Sequence, residues 1–186
     1  MTKQDQLAFW LSDAHAMEVG MITTLEKQIS DAKDCPNTRA LLEAHLVETR
    51  NHAEAVKNAL ASLGEKHPAV KEGVNKIVNL AANALPSLAR DTVLKNTASA
   101  IAAEHQEIAC YKSLVETARE LGERKIATAC RKILQEEQMM ARALAAILPK
   151  LRQACLLDME DEREGDIPKI SPMPRRRVAK IKSVQV

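Results

Sequence analysis

The sequence predicts an all-α protein, an antiparallel bundle of four long helices. Three observations predict it. Apolar residues make up 46% of the 186 residues, and Ala, Leu, Ile and Val supply nearly all of them beside abundant Glu and Lys, a strongly helix-forming mixture. Aromatics contribute 2%, as Phe9, Trp10 and Tyr111, too few for the β-branched and aromatic runs of strands. Apolar positions recur with the period of a helix, and no alternating pattern flanked by hairpin dipeptides appears.

Each element carries its own signals. The first helix is expected over residues 4–32, with Leu7, Leu11, Ala14, Met21, Leu25 and Ile29 on one face; SDAKDCPNT stops it and starts the next. The second runs to about Leu63, where Gly64 acts as a left-handed cap and Pro68 follows. Residues 65–89 carry a weak stripe (Val70, Val74, Ile77, Ala81, Leu85) broken by Pro86, which suits a short bridging helix. The third helix starts near Arg90 or Asp91 and stops at Gly122 in ARELGERK. The fourth follows at once and is expected to end or bend at Pro149. Two tight hairpins joined by one crossover as long as the bundle make the ferritin-like arrangement. From Asp158 the composition shifts to acidic DMEDEREGD, then IPKISPMP, then basic RRRVAKIKSVQV. Residues 1–157 are expected as the bundle and residues 158–186 as a charged, proline-containing flexible tail.

The formal charge of +2 selects no partner. No apolar run approaches a membrane span, and MTKQDQLAFWLSD lacks a signal-peptide core followed by a cleavage site. Cys35, Cys110, Cys130 and Cys155 are irregularly spaced, with no CxxC pair. Zinc held by cysteine is therefore not expected, and a reducing cytoplasm is the natural setting.

Glu18 breaks the pattern, because it completes the first helix's apolar stripe between Ala14 and Met21. The other helices repeat the anomaly. Glu104 sits within the stripe of Ile101, Ile108, Tyr111, Val115 and Ala118; Glu136 and Glu137 straddle that of Ile126, Ile133, Met140 and Leu144, with Glu137 nearer its centre. The second helix has a wider apolar face, and Glu48 lies at its edge. All four acids fall near helix midpoints, which an antiparallel bundle brings to one level. The interval from Glu18 to Glu48 nearly equals that from Glu104 to Glu137, as a pseudo-twofold site requires. One such acid is ordinarily a boundary residue whose stem packs while its head reaches water. Four together repel one another and are costly to bury ionised. A pair of divalent cations removes both problems, and oxygen donors with one or two imidazoles suit iron or manganese better than zinc.

His52, one turn beyond Glu48, is the preferred imidazole ligand. His45, one turn before it, is expected to hydrogen-bond to a ligand instead. Glu107 follows Glu104 at i+3, as a further ligand or a surface residue. Tyr111 is placed as a donor to a ligand or as plain core, and Glu136 as a helper beside Glu137. His15, His67 and His105 read as solvent-facing or peripheral.

WLSDAHAME, EAHLVETRNH, EHQEIACYKSL and ILQEEQMMA stand in the order and spacing of conserved segments of the YciE/YciF-type ferritin-like bacterial stress proteins. The chain resembles the YciE branch most nearly, over roughly residues 7–150, and the tail is left out. The resemblance implies a four-helix ferritin-like fold, a homodimer, a stress-response setting and a di-iron centre. Carried across by position, its metal residues are Glu18, Glu48, Glu104 and Glu137, with His52 and Glu107 beside them. It supplies no established reaction. The wider ferritin-like pattern has Glu-x-x-His on two helices, and here Asn51 and Met140 stand at i+3 from Glu48 and Glu137. His52 at i+4 replaces the first imidazole; nothing on the fourth helix replaces the second.

Three functions of different classes are open at this point. Two irons imply redox chemistry with dioxygen or peroxide, as in a ferroxidase or a peroxidase-like oxidoreductase. The missing second imidazole favours instead a metal-free bundle acting as a stress-induced interaction protein. The third is contact of RRRVAKIK with nucleic acid or an anionic membrane through phosphate charge. The neighbouring acidic run and the lack of interleaved aromatics weigh against it.

Overall fold

The computed structural model describes residues 1–64 and 91–165, with side chains described as far as Leu157. Four helices make it up: α1 (Lys3–Asp31), α2 (Pro36–Ser62), α3 (Thr92–Glu120) and α4 (Arg124–Gly165). No strand occurs among the described residues. The bridging helix expected over 65–89, His67 and the basic end of the tail lie outside them.

Local chemistry sets the helix ends. The Thr2 hydroxyl accepts from the Asp5 amide at 3.1 Å while the Thr2 amide donates to Asp5 Oδ2 at 2.7 Å, a capping box. Pro36 opens α2, where its missing N–H costs nothing. Gly122 takes φ +79 after α3. The Glu123 amide then reaches back to the Ala118 carbonyl at 2.8 Å and the Gly122 amide to Arg119 at 3.1 Å, a Schellman ending. Gly64 closes α2 with φ +91.

Pro149 does not end the fourth helix, which continues to Gly165 and so beyond residue 158, where the tail was expected to start. Pro149 and Ala145 both lie on the exposed side, where water can satisfy the carbonyl that the ring leaves without a donor.

The two hairpins, α1–α2 and α3–α4, pack together through α1 against α3 and α2 against α4. Neighbours run antiparallel; the Asn96 amide near the start of α3 donates to Asp31 at the end of α1, at 2.9 Å. The end of α2 and the start of α3 thus lie at opposite ends of a bundle about 40 Å long, for a 27-residue helix. This is the ferritin-like bundle with one long crossover.

The core is in two parts. One cluster joins Leu7, Leu11, Val56, Leu114, Ile126 and Ile133 at one end; the other joins Leu25, Leu42, Ala100, Met140 and Leu144 at the opposite end. A buried polar layer separates them at mid-height. All four cysteines are free. Among the described residues no helix is long and apolar enough to cross a membrane.

Candidate metal centre

Each helix contributes to the polar layer: Glu18 from α1, His45 and His52 from α2, Glu104 and Glu107 from α3, and Glu137 from α4, all buried. Each side chain stands near the middle of a long helix, with an apolar cluster above and below the layer.

Two groups of potential ligand atoms form within the layer. Glu18, His52 and Glu137 bring theirs within 4.8 Å of one another, and so do His45, Glu104 and Glu137. Glu137 belongs to both. Its Oε1 lies 2.8 Å from His52 Nδ1 and its Oε2 lies 3.6 Å from His45 Nε2. Glu18 Oε2 is 3.7 Å from His52 Nδ1, and Glu104 Oε1 is 3.3 Å from His45 Nε2. The Tyr111 hydroxyl donates to Glu18 Oε1.

Charge in the layer is crowded. Burial raises the Glu18 carboxyl above its ordinary range, against the pull of His52 and Tyr111. Burial raises Glu104 to about 7 and Glu107 well above its ordinary value, with Glu137, Glu18 and Glu104 adding repulsion. Glu137 goes the other way: burial would raise it, but His52, Glu104 and His45 together outweigh that and lower it. Burial would lower both histidines. The surrounding carboxylates prevail, and hold His45 at about 9 and His52 at about 10.

The residues fit a pair of cations. Buried polar atoms in folded proteins are nearly always hydrogen-bonded. Here Glu18 Oε2, His52 Nδ1, both Glu104 oxygens, Glu107 Oε1 and both Glu137 oxygens have no hydrogen-bond partner. Four carboxylates and two neutral imidazoles carry the charge that two divalent ions cancel.

The inward set differs from the sequence expectation on α2. His45, expected as a partner of a ligand, is buried in the layer, whereas the Glu48 side chain, expected as a ligand, is 43% exposed and meets His45 Nδ1 at 3.2 Å. The helical register explains it. His45 and His52 are seven residues apart and share a direction, which Glu48 does not. Their seven-residue spacing gives the two a shared direction without saying which side of α2 faces inward. Thr49 between them turns its hydroxyl onto the His45 carbonyl at 2.9 Å. Both buried imidazoles of the layer thus come from one helix, α2, and none from α4. Glu107 is buried rather than on the surface. Glu136 meets His52 Nε2 at 2.9 Å from outside the layer. His15 is half-buried and His105 exposed.

Comparison with known proteins agrees with this architecture. A Xanthomonas campestris protein of known crystal structure matches with 30% identity and a TM-score of 0.69, over 88% of this chain and 99% of that one. The Escherichia coli stress protein YciF matches with 23% identity and a TM-score of 0.70, over 82% and 98%. YcfI from Rhodopseudomonas palustris matches with 27% identity and a TM-score of 0.62, over 78% and 94%. The family model described as a domain of unknown function, DUF892, matches residues 2–156. With its four antiparallel helices and polar mid-layer, the chain belongs to the family described as a domain of unknown function, DUF892.

Proposed function

We propose that the chain is a di-metal carboxylate protein, with two ions in the mid-bundle layer and iron, then manganese, as the metals its donors suit. The reading is carried by the unpartnered buried donors, which fall into two groups that share Glu137. Glu18 and His52 would hold one ion, Glu104 and His45 the other, with Glu137 common to both and Glu107 as a further carboxylate. Two ferrous ions, when bound, supply a pair of electrons to dioxygen or peroxide, the chemistry of a ferroxidase or peroxidase-like oxidoreductase in a bacterial stress response.

The chain's own residues have defined tasks in this reading. Tyr111 holds one oxygen of Glu18 and leaves the other free. Leu11, Leu114 and Ile133 on one side and Leu25 and Leu144 on the other keep the layer dry, which strengthens every charge interaction inside it. A cytoplasmic homodimer completes the proposal.

The test is elemental analysis of protein reconstituted anaerobically with Fe(II), together with its visible spectrum. Two equivalents per chain are expected; a preparation that retains no iron and no manganese overturns the reading.

One observation favours a second reading. The 2.8 Å approach of His52 to Glu137 also suits an imidazolium–carboxylate pair, so a metal-free bundle could balance its charge internally. Glu18→Gln and Glu104→Gln separate the two. A metal-free bundle gains stability from each, whereas a metal protein loses the stabilisation that added metal confers.

A further inference from the structure

The two imidazoles present opposite ring nitrogens to the layer. His45 turns Nε2 inward, toward Glu104 and Glu137, and its Nδ1 lies 3.2 Å from Glu48 Oε2. His52 turns Nδ1 inward, toward Glu137 and Glu18, and its Nε2 lies 2.9 Å from Glu136 Oε2. Each ring is therefore gripped from outside by one carboxylate. Glu48 and Glu136 are 43% and 20% exposed at their side chains, while the rings are buried. Lys132 Nζ lies 3.5 Å from the other Glu136 oxygen and steadies that acid at the rim.

We propose that Glu48 and Glu136 are a matched pair of positioning residues that set opposite tautomers, so that His45 binds metal through Nε2 and His52 through Nδ1. The proposal rests on the di-metal reading above. A metal takes the lone pair of an unprotonated ring nitrogen, so the ring's remaining hydrogen must sit on the other one. A carboxylate oxygen accepts that hydrogen, which fixes the tautomer, holds the ring's orientation and makes the inward nitrogen a better donor. Glu48 thus acts through His45 rather than on the metal. A single helix can supply both imidazoles because each has its own outer anchor, one on α2 and one on α4.

The test uses the full chain with 15N-labelled histidine and Zn(II) as a diamagnetic probe. Long-range proton–nitrogen spectra of the loaded protein identify the ligating nitrogen of each ring, expected to be Nε2 for His45 and Nδ1 for His52. Zn(II) affinity, measured by chelator competition, should weaken about 10- to 100-fold in Glu48→Ala and Glu136→Ala. Glu48→Gln and Glu136→Gln should recover part of the loss, since their amide oxygens still accept from the ring. If an Ala variant fails to fold, the Gln variant and the wild-type spectrum still decide. Wild-type protein that takes up two equivalents but ligates His52 through Nε2 or His45 through Nδ1 overturns the positioning role alone. Ala variants that bind as tightly as wild type do the same. Wild-type protein that binds neither Zn(II), Fe(II) nor Mn(II) overturns both this and the di-metal reading.

Discussion

His52 Nδ1 lies 2.8 Å from Glu137 Oε1, yet neither atom has a hydrogen-bond partner. The two are close without being aimed at each other. A polar layer built only to satisfy itself would close such a contact, because an unpaired buried polar atom costs about 1–3 kcal/mol. Glu104 repeats the feature, with both oxygens unpartnered beside His45. Donors that approach one another and point past one another could hold an ion between them.

Glu137 is the residue on which both groups depend. Glu137→Ala is expected to lower metal content from two ions per chain to fewer than one. Glu18→Ala and Glu104→Ala, each of which touches one group, should leave about half the wild-type content. Plasma mass spectrometry on desalted, iron-loaded protein reads the difference. Equal losses in all three variants would argue against a shared bridging carboxylate.

The pH dependence of metal-free stability has a definite sign. His45 and His52 keep their protons to about 9 and about 10 in the fold, against an ordinary 6.5. The stabilisation this brings is complete below 6.5 and is lost as pH rises through the folded values. Glu104, raised from 4.5 to about 7, loses its contribution in the same direction across that lower window. Chelator-treated protein should therefore become less stable from about pH 5 to about pH 10, read as the midpoint of urea unfolding. Metal must displace the same protons, so its affinity should rise over that range. A metal-free protein that gains stability toward pH 9 contradicts the arrangement.

Tyr111→Phe removes the hydroxyl that donates to Glu18 Oε1 and leaves that oxygen buried without a donor. The metal-free protein should lose about 1–3 kcal/mol in denaturant titration. No loss would mean that the Tyr111 hydroxyl does not anchor Glu18.

Leu114→Ala tests the walls rather than the layer. Leu114 is fully buried in the cluster with Leu7, Ile126 and Ile133, so truncation should cost about 2–5 kcal/mol. Metal content at low temperature should stay at the wild-type value, because the layer's donors come from other residues. Loss of metal without loss of stability would reverse that division of labour.

The four helices and the three mid-stripe acids Glu18, Glu104 and Glu137 are visible in the amino-acid order, since a helix's period is a property of neighbouring residues. The glycines at 64 and 122 mark their turns for the same reason: only that residue takes a positive φ without strain. The inward face of α2 was not visible in this way. His45 and His52 differ in direction by about 20° and Glu48 stands about 60° from His45; on a helix with a wide apolar face, any of the three suits the interior. The rotation of α2 about its own axis settled the matter. That rotation is set by packing against α1 and α4, residues far away in the chain, and it put two imidazoles inside and the carboxylate at the rim. Pro149 follows the same logic: its ring breaks a helix where the freed carbonyl is buried, but α4 turns that position to solvent and carries on.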